Sequence, residues 1–227
     1  MGLNAKRAAV TALAADLAVI PECARESRLR DEPRVSSHWR GSNDAKGLGV
    51  FGFNGWTVEP LDESDPLPWT TPVTVIDPAG VQRFTLVAVW TGTPGKRHGR
   101  PGYAAQVAAV VERWHPELAR GEVVLAGDFN CSTEGPAVTA HGVNVTRLET
   151  LGVHSAYHAY RDLAHGEETE MTLRWIAKGR VPLTYHCDFI FMPARLIERV
   201  RHVEIGHSSD WIEAGLSDHA PVIVEIG

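Results

Sequence analysis

The chain has 227 residues, 44% of them hydrophobic and 22% charged, and its formal net charge is −6. That length supports one large domain with a substantial core, so a single domain over residues 1–227 is expected. No apolar run approaches the ~20 residues a membrane span requires, and the acidic balance argues against strong non-specific attraction to nucleic acid.

The three cysteines, Cys23, Cys131 and Cys187, are odd in number and match no zinc spacing. Free thiols in a reducing compartment are expected, and with them a cytoplasmic location. Lys6 and Arg7 precede an Ala-rich segment, as in a secretory signal. Thr11 and Asp16 interrupt it, however, and Val10, Leu13, Ala14 and Leu17 fall at helical spacing. Residues 5–15 are therefore predicted to form an amphipathic helix. Leu17 to Ile20 follow as a short strand, closed by Pro21-Glu22-Cys23. Residues 25–46 are polar and read as an irregular surface loop anchored by Trp39, with His38, Asn43 and Lys46 able to line a site.

Leu48–Phe53 and Trp56–Val58 read as strands, and Asn54-Gly55 between them predicts a hairpin. Residues 59–72 are Pro-rich and acidic. Val73–Ile76 and Phe84–Trp90 form the next strand pair, turning at Pro78-Ala79-Gly80. Residues 91–102 are a basic loop with Lys96, Arg97, His98 and Arg100. It reads either as a solvated loop or as a phosphate contact at the rim of a site. Tyr103, Val107, Val110, Val111 and Trp114 place a helix over 103–115, ended by Pro116.

Val123 to Ala126 is an apolar run bounded by Gly127, as a buried strand would be. Asp128 and Asn130 follow, two residues apart and so on one side of extended backbone. Two readings stay open: an Asx-rich turn leaving a strand, or a carboxylate and an amide offered together at the mouth of a sheet. Residues 134–151 are predicted to be partly helical, and Leu151–Tyr160 is ambiguous between strand and helix. His154, His158, His165 and His186 resemble a supply of metal ligands, but only His154 and His158 have i, i+4 spacing, and a metal site there is disfavoured. Glu167, Glu168 and Glu170 read as a solvated loop. Strands are predicted at Met171–Ile176, His186–Met192, Val200–Ile205 and Val222–Ile226, the last a buried strand with Asp218 and His219 at its entrance.

Four predicted strand ends thus carry polar groups: Glu22, Asp128 with Asn130, Asp188, and Asp218 with His219. All six are expected to converge on one cleft between two sheets. Such a set suits a hard cation acting on a phosphoester, because Mg²⁺ takes one or two carboxylates plus substrate phosphate. The order PE, GDFN, CDFIF, SDHAPV resembles the endonuclease/exonuclease/phosphatase family, also called deoxyribonuclease I-like, over nearly the whole chain.

The resemblance implies an α/β four-layer sandwich, with two mostly antiparallel sheets flanked by helices. It also implies phosphoester hydrolysis dependent on Mg²⁺ or Mn²⁺. By position, Glu22 would be the main metal ligand and Asp218 would lie beside the metal. Asp128 would orient the attacking water, and Asn130 would hold a phosphate oxygen. His219, oriented by Asp188, would contact the scissile phosphate. Two departures stand out. The family's opening strand, which ends in Trp-Asn, has no counterpart before the first helix, and Asn4 is the one nearby substitute for its Asn. A shortened, compromised chain is therefore expected. In addition, Trp90 stands where many members have a His, so phosphate contact would pass to Arg97, His98 or Arg100. The expected activity is a phosphodiesterase, foremost a nuclease on DNA or RNA. A phosphomonoesterase on a sugar or lipid phosphate, or a catalytically impaired binding module, are the alternatives.

Overall fold

In the computed structural model, residues 7–25, 35–62, 66–95, 100–132, 138–175 and 182–227 are described. Two compact units emerge: Met1–Trp90 with Val124–Gly127, and Thr91–Val123 with Asp128–Gly227. The architecture is α/β, and every strand register is antiparallel among the described pairs.

In the first unit, helix α1 (Arg7–Ala12) is shorter than predicted. Ala14 takes a left-handed φ of 51°, which stops the helix before its expected end. Strands β1 (Leu17–Cys23), β2 (Ser36–Asn43) and β3 (Lys46–Gly52) form one sheet in the order β1-β3-β2. The 25–46 region is thus not wholly irregular, because its second half is a strand paired with β3. Trp39 is the anchor there: its Nε1 donates to the Cys23 carbonyl at 3.0 Å, and its ring packs with Phe51 and Cys23. Among the described residues β1 pairs with β3 alone, and it is half-buried along Leu17–Ile20.

Strands β4 (Thr57–Pro60), β5 (Thr70–Ile76) and β6 (Gln82–Trp90) form a second sheet. Asn54 and Gly55 both have positive φ, at 55° and 89°, and Trp56 N–H donates to the Phe53 carbonyl at 2.8 Å. The turn is therefore the one the sequence announces, but its strands do not pair. β3 ladders with β1 and β2, β4 ladders with β5, and the turn hands the chain from one sheet to the next. At the β5–β6 turn, Asp77 Oδ1 accepts the N–H groups of Ala79 and Val81, both at 2.9 Å. β7 (Val123–Asp128) lies beside β6 through residues 124–127 and is buried there apart from half-buried Gly127.

The second unit holds α2 (Tyr103–Arg113) and α3 (His115–Ala119). Pro116 does not lead straight into a strand. It occupies the first turn of α3, where its missing N–H has no helical partner to lose. α4 (Val138–Thr150) is tied to α2 by Asn144 Nδ2 donating to the Ala104 carbonyl at 2.8 Å and by an Arg147–Glu112 ion pair at 2.7 Å. The ambiguous 151–160 stretch is both things in turn, β8 (Val153–Ser155) and then α5 (Ala156–Arg161).

Next come β9 (Leu173–Trp175), β10 (Leu183–Tyr185), β11 (Asp188–Pro193), α6 (Ala194–Ile197), β12 (Val200–Ile205), α7 (Ser208–Trp211) and β13 (Val222–Ile226). They pair as β9 with β10, β8 with β11, and β12 with β13. β13 is not the buried strand expected, since Glu225 and Ile226 are exposed. The 167–170 stretch also departs from a solvated loop. Glu167 is exposed, but Glu168 is buried against His158 and Glu170 pairs with Arg161. Their charges are met by partners instead of water. Phe129, Phe189 and Phe191 centre the core of this unit, with Phe129 edge-on to the other two at 5.6 Å.

Candidate active site

Gly127 prepares the first pair of candidate side chains. Its φ is +137°, and a Cβ there would run into the Val89 carbonyl oxygen. Only glycine combines that backbone with that approach. Directly after it, Asp128 is 5% exposed. Its Oδ1 accepts the Asn130 N–H at 2.8 Å and its Oδ2 accepts Asn130 Nδ2 at 2.7 Å. Asn130 Nδ2 also donates to the Thr91 carbonyl at 2.9 Å, and Asn130 takes a left-handed φ of 47°, which Asn tolerates better than most residues. The two sequence readings of this stretch coincide. The Asx turn is the device that holds carboxylate and amide together.

Thr91 secures the turn from outside. Its Oγ1 donates to the Phe129 carbonyl at 2.6 Å and its N–H to the Asp128 carbonyl at 3.0 Å. Phe129 itself is fully buried, so the GDFN stretch is pinned by one aromatic between Asp128 and Asn130.

The second pair is Asp188 with His219. His219 Nδ1–H donates to Asp188 Oδ2 at 2.8 Å. Burial pushes the His219 pKa down. The charge and hydrogen bond of Asp188, aided by Asp128 and Asp218, more than reverse this and lift it to about 9. At neutral pH the ring is therefore an imidazolium, oriented by Asp188. One ligand-capable atom each from Asp128, Cys187 and His219 lie within 4.8 Å of one another, so the two pairs face a common point. Burial pushes the Cys187 thiol well above its usual pKa, which denies it the thiolate that a metal ligand or nucleophile needs.

Thr172 organises this pair, and the sequence offered no sign of it. It is fully buried, and its Oγ1 accepts the N–H groups of Cys187 at 3.0 Å and Asp188 at 3.1 Å. Its carbonyl accepts the Ala220 N–H at 2.8 Å, and its neighbour Leu173 forms a bridge with His219. One residue thereby sets the backbone under both Asp188 and His219. Thr91 plays the matching part for Asp128. Neither carries a residue type that marks chemistry, so only the fold could single them out.

The other candidates are placed as follows. Asp218 is exposed, and its carbonyl accepts the Arg174 N–H at 2.8 Å. Glu22 belongs to the first unit and is not a residue just past a strand but one inside β1. It sits at a register break between Ile20 and Cys23 with a left-handed φ of 58°. A non-glycine residue in that region is uncommon and costs on the order of 1 kcal/mol or more. Its exposed carboxylate pairs with Lys46 Nζ at 2.8 Å, an exposed pair that a cation displaces at little cost. Glu22 and Asp218 are hard oxygen donors open to solvent, and that donor chemistry fits Mg²⁺ or Mn²⁺. Arg100 is bridged to Gly95, with its guanidinium against Gly92. Arg97, His98 and Asn4 lie outside the described residues.

Neither the protein-family models nor the curated proteins give a match to this chain. Solved structures do. The 3′ phosphatase NExo from Neisseria, bound to a product DNA hairpin, is 18% identical with a TM-score of 0.67, over 100% of this chain and 96% of that one. An AP endonuclease from Archaeoglobus fulgidus is 16% identical with a TM-score of 0.64, over 96% and 91%. A mannosyl-6-phosphatase from Bacteroides thetaiotaomicron is 17% identical with a TM-score of 0.62, over 99% and 90%. At these identities the likeness is one of fold, and it agrees with the antiparallel sheets and helices already described. The chain therefore shares the deoxyribonuclease I-like fold of these solved structures.

Proposed function

We propose that this protein is a metal-dependent phosphodiester hydrolase, foremost a nuclease acting on DNA or RNA. The observation that carries the reading is the Asp188–His219 hydrogen bond at 2.8 Å with Asp128 in reach of the same imidazole. An imidazolium held by a carboxylate donates to a phosphoryl oxygen and meets the charge that grows there as the ester opens. Asp128, locked by Asn130, accepts from an attacking water and aims it. Asn130 serves as a donor to a phosphate oxygen by releasing one of its two present Nδ2 bonds. Glu22 and Asp218 are put forward for Mg²⁺ or Mn²⁺ on the motif pattern and their oxygen chemistry, and the ion would neutralise phosphate charge. Arg100, with Arg97 and His98, is put forward for substrate phosphate. We keep the reading of a single domain over residues 1–227, which rests on the chain's length. Three buried free cysteines fit a reducing compartment, and we place the protein in the cytoplasm.

The net charge of −6 favours a second reading, a phosphomonoesterase on a small sugar or lipid phosphate. DNA, RNA and small phosphoesters assayed with Mg²⁺, Mn²⁺ and EDTA separate the two. In the same assay Asp128→Ala and His219→Ala should each lower turnover by ~100-fold or more, with unchanged circular dichroism. Near-normal rates in both variants would reject the assigned roles.

A further inference from the structure

A second cluster of titratable side chains lies in the second unit and uses none of the residues assigned above. Four imidazoles surround Phe189: His141 at 5.4 Å between ring centroids, His158 at 6.2 Å, His165 at 6.1 Å and His186 at 5.1 Å. His158 and His165 stack at 3.6 Å. His158 reaches Ser155 Oγ through Nδ1 at 2.8 Å and Glu168 Oε1 through Nε2 at 2.9 Å. One ligand-capable atom each from His158, His165 and Glu168 lie within 4.8 Å of one another.

The imidazoles around this cluster are short of partners. Among the described residues neither ring nitrogen of His141 has a hydrogen-bond partner, nor has His165 Nδ1 or His186 Nε2. His141 is 1% exposed and His186 2%. His186 is oriented as a ligand would be, with Nδ1 donating to the Glu170 carbonyl at 2.8 Å and Nε2 bare. Buried polar atoms left bare cost free energy, and one of them, His165 Nδ1, belongs to the His158, His165 and Glu168 group itself. An open cleft of about 610 Å³, lined by both His158 and His165, provides a way in.

We infer that His158, His165 and Glu168 form a binding site for a transition-metal cation of the Zn²⁺ class. Two imidazoles with one carboxylate suit Zn²⁺ and its neighbours and suit Mg²⁺ poorly. Two ligand atoms each ~2.1 Å from a tetrahedral ion stand ~3.4 Å apart; the present atoms lie within 4.8 Å, and the stacked rings of His158 and His165 must turn to aim both nitrogens at one ion. Binding through His158 Nε2 needs that nitrogen bare, so the ring keeps its proton on Nδ1, where Ser155 Oγ accepts it. The fourth position faces the cleft and takes water. The ion would clasp α5 to the 162–172 segment, whose last residue, Thr172, carries the backbone beneath Asp188 and His219. It is a positioning site and not the phosphoester centre.

The test is Zn²⁺ titration of the EDTA-stripped full-length protein, followed by calorimetry and by the visible spectrum of the Co²⁺ form. Glu22→Gln, His165→Ala and Glu168→Gln are run beside the unmodified chain. The expected result is one tight Zn²⁺ that Glu22→Gln keeps and that His165→Ala and Glu168→Gln weaken at least tenfold, with tetrahedral Co²⁺ bands lost in parallel. Should either pocket variant fail to fold, zinc X-ray absorption on the unmodified protein decides, with two imidazoles and one carboxylate expected. Undiminished Zn²⁺ binding in the pocket variants, loss of it in Glu22→Gln, or an ion without imidazole ligands would each overturn the assignment.

Discussion

Asp188→Asn tests whether the His219 charge is what the site uses. In the folded protein the imidazole sits at about 9, against an ordinary 6.5. That difference corresponds to ~3 kcal/mol as an upper bound, less what solvent screens, because the ring is 26% exposed. The amide keeps an oxygen for Nδ1–H but removes the charge. Burial, which lowers the pKa, then meets only Asp128 and Asp218, and His219 should fall to ~6.5 or below. At pH 7.5 the imidazolium fraction drops from nearly all to ~10%, whereas at pH 6 most of it survives. The kcat/KM deficit of the variant should therefore be ~8-fold larger at pH 7.5 than at pH 6, and its alkaline limb should move down by ~2.5 pH units. Proton NMR of the metal-free protein reads the His219 titration directly. The linkage has a fixed sign. A pKa raised on folding adds stability that is complete below pH 6.5 and disappears as pH rises through about 9, so wild type loses more stability than the variant across that window. An alkaline limb that overlays wild type, or a His219 titration that Asp188→Asn does not move, would refute the reasoning.

Three further outcomes are expected. Gly127→Ala puts a Cβ onto the Val89 carbonyl at φ +137° and should destabilise by on the order of 3 kcal/mol in urea unfolding; a loss under ~1 kcal/mol would mean the strand yields there. Thr172→Val keeps the shape but leaves the N–H groups of Cys187 and Asp188 without their acceptor, so it should cost ~2 kcal/mol and lower kcat more than it changes KM. Burial holds His141 at about 4 and His165 at about 3, both below their unfolded 6.5, so the unfolded chain takes up protons first as pH falls. Stability should be full above pH 6.5 and fall by on the order of 2 kcal/mol per imidazole by pH 5, read as a lower urea midpoint in metal-free protein; a midpoint constant from pH 7 to 5 would contradict it.

What the sequence made legible follows from how local the cause is. The 123–128 strand, the 103–113 helix and the Pro78-Ala79-Gly80 turn rest on periodicity and turn chemistry within a few residues, and all three stand in the structure. Asn54-Gly55 shows the limit. Local chemistry fixed two left-handed residues but not which sheet the next strand would join, because pairing partners are chosen by distant strands. β2 went unseen for the same reason. Its polar SSHWRGSN alternates poorly, and it exists because β3 offers a ladder and Trp39 a buried ring.

The site divides along the same line. The pairings of Asp128 with Asn130 and of Asp188 with His219 were legible because each polar group stands at a strand end, in a motif order with few chance matches. Glu168 was misread as solvated because nothing nearby in the chain reveals that His158, ten residues earlier, turns back to meet it. His158 and His165, likewise, come together through the left-handed Asp162 that ends α5, and no helical spacing predicts a contact made by a reversal. Thr172 lies furthest from any sequence signal, since its role is to accept two backbone N–H groups and donate none of the chemistry. That sets the hierarchy of the design. Reactive groups are chosen by type, and type is visible in one dimension. The groups that hold them are chosen by position, and position exists only once Asp188 and His219, thirty-one residues apart, share one hydrogen bond.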